Sequence, residues 1–269
     1  MTDSMNYVVT NVTGVPEYSA QIMSSKGHDF ALVIPVINEN GKLTRQLAHI
    51  AELVPQVDVI IADGGSTDGS TDPGLLAQLG VTAVLTKNGP GKLSAQLRMA
   101  FHFCLKSGYR GVLTMDGNGK DGVAGINSIV LALTEGYDFV QGSRFLPGGK
   151  AINTPRGRLL AIRLLHAPVT SIAAHCRFTD TTNGFRGHSR KLLEDVDLDP
   201  LRDVFDSYEL LAYIPIQASR LGFRITEVPV TRSYPSTGPI PTKIHGLRAY
   251  VHMCGILIKA AFGRYSPQI

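Results

Sequence analysis

Cysteine is scarce in this sequence: Cys104, Cys176 and Cys254 are odd in number and far apart. That excludes a disulfide framework and offers no zinc-ligand spacing. There is no internal repeat and no low-complexity tract. Residues 1–29 are polar and lack the basic-then-apolar pattern of a signal peptide, so a cytoplasmic protein is expected. The sequon at Asn11 then carries no meaning. Charge is sparse as well, at 18% of residues, with a net charge of +4. This basic bias suits anionic ligands or an anionic membrane face but is too weak for nucleic acid, and no nucleic-acid signature accompanies it.

Loop-forming residues are plentiful, with 28 Gly and 15 Pro among 269, and 43% of the chain is hydrophobic. The composition is globular and the length permits a substantial core. Residues 1–29 read as a loosely attached N-terminal extension. From Phe30 apolar runs alternate with helical spacing. Strands are expected at Phe30–Val36, Val57–Ala62, Val81–Leu85 and 111–115, and helices at Leu43–Leu53, about 73–79 and about 92–107. Short buried strands alternating with helices indicate one α/β domain, a mostly parallel sheet with helices on both faces. Such sheets bind ligands at the carboxyl ends of their strands.

Three polar turns fall at those ends: Pro35-Val-Ile-Asn38-Glu39, Asp63-Gly-Gly-Ser66 and Asp116-Gly-Asn118. In the third, "TMDGNGKDG" (114–122), Asp116 and Asn118 either hold a metal ion beside a phosphate-bearing ligand or form an ordinary strand-to-loop turn. Asp63 and Asp68 also fit turn and cap roles. A Walker loop is excluded, because "NGPGKLS" (88–94) has Thr86 and Leu93 where that loop needs Gly and Ser or Thr. A dinucleotide fingerprint is excluded by the sequence after the first strand. Lys92, at a helix start, either reaches a diphosphate or is a solvated lysine.

The order of motifs resembles the inverting family-2 glycosyltransferases of the GT-A fold, within them the dolichol-phosphate mannose synthase-like polyprenyl-phosphate sugar transferases. The blocks are "VIPVINE" (33–39), "IIADGGSTDGS" (60–70), "GPGKLSAQLRMA" (89–100), "MDGNGKD" (115–121), "QGSRF" (141–145), "DTTNGFRGHSR" (180–190) and "LLAYIPIQASRLGFRITEVPVTR" (210–232). The likeness covers roughly 30–243. It implies a GT-A-type, Rossmann-like domain over 30–243, followed by an amphipathic helix and tail over 244–269.

The resemblance implies transfer from a UDP- or GDP-linked sugar with inversion. Nucleotide-sugar contacts are expected from Pro35, Asn38, Glu39, Asp63, Gly65, Ser66, Lys92, Asp116 and Gly117. Mg²⁺ or Mn²⁺ is expected on Asp116 and Asn118, where it would neutralise the leaving diphosphate. Arg144 is expected between donor and acceptor phosphates. A polyprenyl phosphate, already an anion, is the first-choice acceptor; a hydroxyl acceptor would need a base, for which Asp206 and Glu209 are candidates sharing a helix face. A sugar-nucleotide binder without catalysis is the reading from outside the enzyme class. Arg156, Arg158 and Arg163 either receive an acceptor phosphate or form a solvated face.

Two positions depart from the family pattern: Asn118 replaces the second Asp of Asp-x-Asp, and Gly64 replaces the second Asp of the base-binding pair. Asp121 is expected to compensate for the first. No pair of long transmembrane helices is present. In the tail, Ile244, Leu247, Val251, Cys254, Ile258 and Phe262 form an apolar helical stripe too interrupted to span a bilayer. That stripe would lie in a membrane interface, making the protein peripheral at the inner face, or pack on its own domain or a second copy in a homodimer.

Overall fold

The computed structural model describes residues 5–39, 41–53, 56–237 and 246–267. In chain order the elements are β1 (Met5–Val9), β2 (Tyr18–Ile22), β3 (Phe30–Val36), α1 (Lys42–Leu53), β4 (Asp58–Asp63), α2 (Pro73–Gln78) and β5 (Val81–Lys87). Next come α3 (Leu93–Lys106), β6 (Gly111–Thr114), α4 (Gly125–Thr134), β7 (Phe139–Ser143), β8 (Lys150–Ile152) and α5 (Arg156–Ala161). A π-helical turn at Ile162–His166 carries α5 into α6 (Ala167–Ala174). The chain continues through β9 (Arg186–Ser189), α7 (Arg190–Leu193), α8 (Glu209–Arg220), β10 (Ile225–Pro229), β11 (Thr231–Ser233) and α9 (Gly246–Ala261).

Nine strands form one sheet in the order β1-β2-β5-β4-β3-β6-β9-β7-β10. Its centre, β5-β4-β3-β6, is parallel, as the alternation of elements requires. β9 is inserted antiparallel between β6 and β7, and β10 runs parallel to β7. Alternation along β3 builds the two faces. Ala31 and Val33 join a core with α3 and α8, whereas Leu32, Ile34 and Val36 join a second core with α1 and α4. A strand buried on both sides reads as a continuous apolar run, which is why β3 is visible in the sequence.

Residues 5–22 differ from the expected loose extension. β1 and β2 extend the sheet antiparallel to β5. Tyr18 and Ala20 are buried in the core, and the Tyr18 hydroxyl lies 3.0 Å from His102 Nδ1. The strand Tyr-Ser-Ala-Gln-Ile buries alternate residues, so its average polarity hides its inward face.

Among the described residues no helix is long and apolar enough to cross a membrane. α9 packs against the domain through Ile256, Leu257 and Ala260. Part of the tail stripe faces the other way: Val251, Ile258 and Phe262 are exposed, Phe262 to 79%, while Cys254 is half-buried and the Leu247 side chain lies outside what is described. Ile244 lies outside the described residues.

Candidate active site

The carboxyl ends of β3, β4 and β6 are stitched into one platform. Gln96 of α3 donates through Nε2 to Val36 O (2.9 Å) and Ala62 O (2.8 Å), tying β3 to β4. Asn38, in left-handed backbone at φ 53°, gives its N–H to Ser66 Oγ at 3.0 Å and accepts from Thr67 N at 2.8 Å. Asp63 is buried, and its Oδ1 accepts from Ser66 N (2.9 Å) and Ser66 Oγ (2.6 Å). Gly65 supplies the φ of +96° that this turn needs. Asp68 accepts from Ser70 N, as a turn residue does. Glu39 pairs with Lys42 at 3.0 Å, and Pro35 lies beyond the end of the β3–β6 ladder.

The third turn presses against this platform. Gly117 backs onto β3 so closely that a Cβ would stand 3.1 Å from Ile34 Cγ2 and Val36 Cγ2. Gln46 of α1 clamps the turn, donating to Asp116 O at 3.1 Å and accepting from Gly119 N at 3.1 Å. Asp116 is 28% exposed, and its Oδ2 receives Arg232 Nη2 at 2.7 Å and Asn118 Nδ2 at 3.4 Å. Burial pushes the Asp116 carboxyl up, but Arg232 and then Lys120 outweigh it and hold the pKa below its ordinary value.

Asp121 is not the spare carboxylate expected from the sequence. Its side chain is fully buried, and both oxygens accept from Arg232 Nη1 at 2.7 Å. Arg232 Nη1 also donates to Asn183 Oδ1 at 3.0 Å. Burial works against the guanidinium's charge, yet Asp121 and Asp116 raise its pKa well above the ordinary value. Lys120 is buried beside them, its Nζ 5.3 Å from the Tyr234 ring, and burial lowers its pKa. Arg158 donates to the Tyr234 hydroxyl at 2.9 Å, which brings the start of α5 to the same place. Arg156 and Arg163 are exposed, so Arg158 is the member of that cluster drawn into the site.

Arg144 is buried in a bidentate pair with Asp180, Nε to Oδ2 at 2.6 Å and Nη2 to Oδ1 at 2.8 Å, and also donates to Thr182 Oγ1. Asp180 itself sits in a turn held from behind by Arg186, which donates to the carbonyls of Thr181, Asn183 and Leu211. Nη1 of Arg144 meets no acceptor among the described residues.

Asp206 and Glu209 do not share a helix face. Asp206 is exposed in the loop before α8, where its carbonyl accepts from Lys92 N at 2.9 Å. Glu209 opens α8, is buried, and its Oε2 accepts from Ser207 N at 2.5 Å. The Lys92 side chain is exposed at the start of α3. Arg232, Asp180, Asn183 and Tyr234 are candidate site residues that the sequence reading did not single out. They lie inside or beside recognised blocks, and only the fold shows which way they converge.

A mostly parallel sheet with acidic turns at its carboxyl ends, and Arg232 buried beside Asp116, fits the GT-A arrangement. Solved structures agree on the fold. Glucosyl-3-phosphoglycerate synthase from Mycobacterium tuberculosis, crystallised with Mn²⁺, UDP and phosphoglyceric acid, superposes with a TM-score of 0.64 at 19% identity over 88% of this chain and 78% of its own. No family model matches the sequence. Curated relatives fix the family more closely. The undecaprenyl-phosphate mannosyltransferase of Micrococcus luteus is 30% identical over 201 residues, 74% of this chain and 81% of the relative. The polyprenol monophosphomannose synthase of Mycolicibacterium smegmatis is 28% identical over 206 residues, 74% of this chain and 76% of the relative. The chain belongs to the dolichol-phosphate mannose synthase-like family-2 glycosyltransferases, and it is a glycosyltransferase.

Proposed function

We propose that this enzyme moves a sugar from a UDP- or GDP-linked donor onto a polyprenyl phosphate at a membrane surface, with inversion at the anomeric carbon. The observation that carries the acceptor class is the helix from Arg156 to Ala174. It begins where Arg158 meets Tyr234 at the site, and it exposes Leu160, Leu164 and Ile172 to solvent, Leu164 to 73%. An uncovered apolar face starting at the site, with Arg156 and Arg163 exposed along it, suits a lipid whose phosphate must reach the sugar. Both named curated relatives act on polyprenyl phosphates, which supports the same reading.

On the donor side, the Asp63–Ser66–Asn38 turn would receive the nucleoside and Lys92 the diphosphate. Asp116 Oδ1 has no hydrogen-bond donor among the described residues, so this oxygen and the Asn118 side chain fit a sparse Mg²⁺ or Mn²⁺ site completed by diphosphate oxygens. Among the described residues there is no cluster of three or more His, Cys, Asp or Glu side chains that could hold a metal ion. The divalent ion would supply Lewis-acid stabilisation of the leaving diphosphate. Arg144 Nη1 would add a fixed donor for a phosphate oxygen, with Asp180 holding the guanidinium in place.

A phosphate acceptor needs no base. Glu209→Gln and Asp206→Asn should therefore keep sugar transfer to a polyprenyl phosphate within a few-fold of the native rate, while Asp116→Ala should abolish it. A loss of roughly 10²–10⁴-fold at Glu209 or Asp206, with a changed pH profile, would instead assign a base and a hydroxyl acceptor.

A further inference from the structure

Arg232 occupies one side of the carboxylate that the proposed metal site depends on. Its position is set by the backbone. β11 is laced to the loop after Asp116 by Gly122 N–H to Thr231 O (2.9 Å) and Ser233 N–H to Lys120 O (2.8 Å), with Asp121 and Arg232 bridged antiparallel between them. Within that frame Nη1 spans both oxygens of Asp121, and Nη2 takes Asp116 Oδ2. The side chain is only 6% exposed, so solvent screens these contacts little.

Among the described residues the two carboxylates of this cluster are already matched by cations, with Arg158 close by on the Tyr234 hydroxyl. Asp116 and Asp121 carry two negative charges, and Arg232 and Lys120 two positive ones. A divalent cation arriving alone meets no net attraction and finds one of the two Asp116 oxygens taken. A nucleoside diphosphate changes both conditions, because it brings negative charge and further oxygen ligands.

We propose that Arg232 is a resident cation that makes divalent-metal binding at Asp116 conditional on the nucleotide diphosphate. The protein alone holds the ion weakly; protein and nucleotide hold it together. Asp121 shares the guanidinium with Asp116 and offsets part of its charge, so that Asp116 is not the sole partner of Arg232. This inference rests on the reading of Asp116 as the metal ligand.

Direct Mn²⁺ binding tests it, with free Mn²⁺ measured by electron paramagnetic resonance on the full chain, first without nucleotide and then with UDP or GDP. Arg232→Gln should tighten Mn²⁺ binding in the absence of nucleotide by roughly tenfold or more, since it frees Oδ2 and removes a positive charge at contact distance. The factor by which nucleotide tightens Mn²⁺ should shrink, and by linkage so should the factor by which Mn²⁺ tightens nucleotide. Asp121→Asn should act in the opposite direction, weakening Mn²⁺ several-fold, because Arg232 is then left to Asp116 alone. This near-isosteric variant decides the matter if Arg232→Gln fails to fold. Opposite shifts from two members of one ion pair are not what a purely structural pair gives. Unchanged or weaker Mn²⁺ binding in folded Arg232→Gln, or unchanged binding in Asp121→Asn, overturns the proposal. Asp116→Ala separates the two readings. If it binds Mn²⁺ with nucleotide as the native chain does, the metal assignment itself fails; if it loses that binding while the other variants shift nothing, only the role of Arg232 fails.

Discussion

Gln96 stands where a side chain on Gly64 would have to go: a Cβ at Gly64 would lie 3.0 Å from Gln96 Nε2. The amide is committed there by its bonds to Val36 O and Ala62 O. The family's second acidic residue is thus absent from a position that the structure has filled from behind. Gly64→Asp should destabilise the protein by about 1–3 kcal/mol, because displacing Gln96 removes its bonds to two buried carbonyls, with Val36 O keeping the Gly64 N–H. Urea denaturation of the variant measures this. An unchanged midpoint would mean that Gln96 moves aside without loss.

Arg144 should matter for stability before it matters for rate. Removing its guanidinium leaves the Asp180 carboxylate fully buried with only the long backbone bonds from Arg144 N and Thr182 N. Arg144→Ala should cost about 3–5 kcal/mol in denaturant unfolding. A double variant Arg144→Met with Asp180→Leu should recover much of that stability without recovering transfer. Full stability in the single variant would show that Asp180 finds another partner.

His188 gives the protein a pH dependence away from the site. Its ring is buried between Phe101 and Phe139, and Nδ1 lies 3.2 Å from Val112 O. Burial, and then Arg186, push its pKa down from 6.5 to about 3. Between those values the unfolded chain binds a proton that the folded chain refuses. The stability contribution is complete above pH 6.5 and is lost as pH falls toward 3. His188→Phe should flatten the slope of unfolding free energy against pH in that window by about one proton, whatever its effect on the baseline. Equal slopes for both proteins would show that the ring titrates while folded. His102 and His166, also lowered by burial, are unchanged in the comparison.

The apolar outer faces of α6, the turn before it and α9 lead to a vesicle experiment. Leu164 and Phe262 are among the most exposed large apolar side chains, with Arg163, Arg248 and Lys259 also exposed on these segments. The native chain should sediment with vesicles containing anionic lipid. Leu164→Glu with Phe262→Glu should reduce binding by more than tenfold, since burying each side chain contributes about 1.5–3 kcal/mol. Nucleotide affinity should not change. A native dimer that ignores vesicles, and turns monomeric in the double variant, would assign these faces to a second copy of the chain.

Much of the frame was legible because it rests on local pattern. The run Phe30–Val36 is apolar throughout since both faces of β3 are covered, and the turns after β3, β4 and β6 stand out where the apolar runs stop. β1 and β2 were not legible, because β1 is an exposed edge strand and β2 buries only alternate residues, so neither shows a continuous apolar run. Spacing suggested a shared helix face for Asp206 and Glu209, but α8 begins at Glu209 and leaves Asp206 in the loop. The acidic loop at 116–121 showed its carboxylates and not their partner. Arg232 arrives from a strand 116 positions further along the chain than Asp116, and no local pattern encodes a pairing at that distance.

That separation also fixes an order of assembly. A growing chain presents Asp116, Lys120 and Asp121 long before Arg232 has been synthesised, so until then Lys120 is the one cation of the cluster beside its two carboxylates. Closing so large a loop is slow, and its entropic cost is met only when β11 can lace onto the residues after Asp116. The contacts of Arg232 with Asp116 and Asp121 therefore wait on the lacing of β11 to the residues after Asp116.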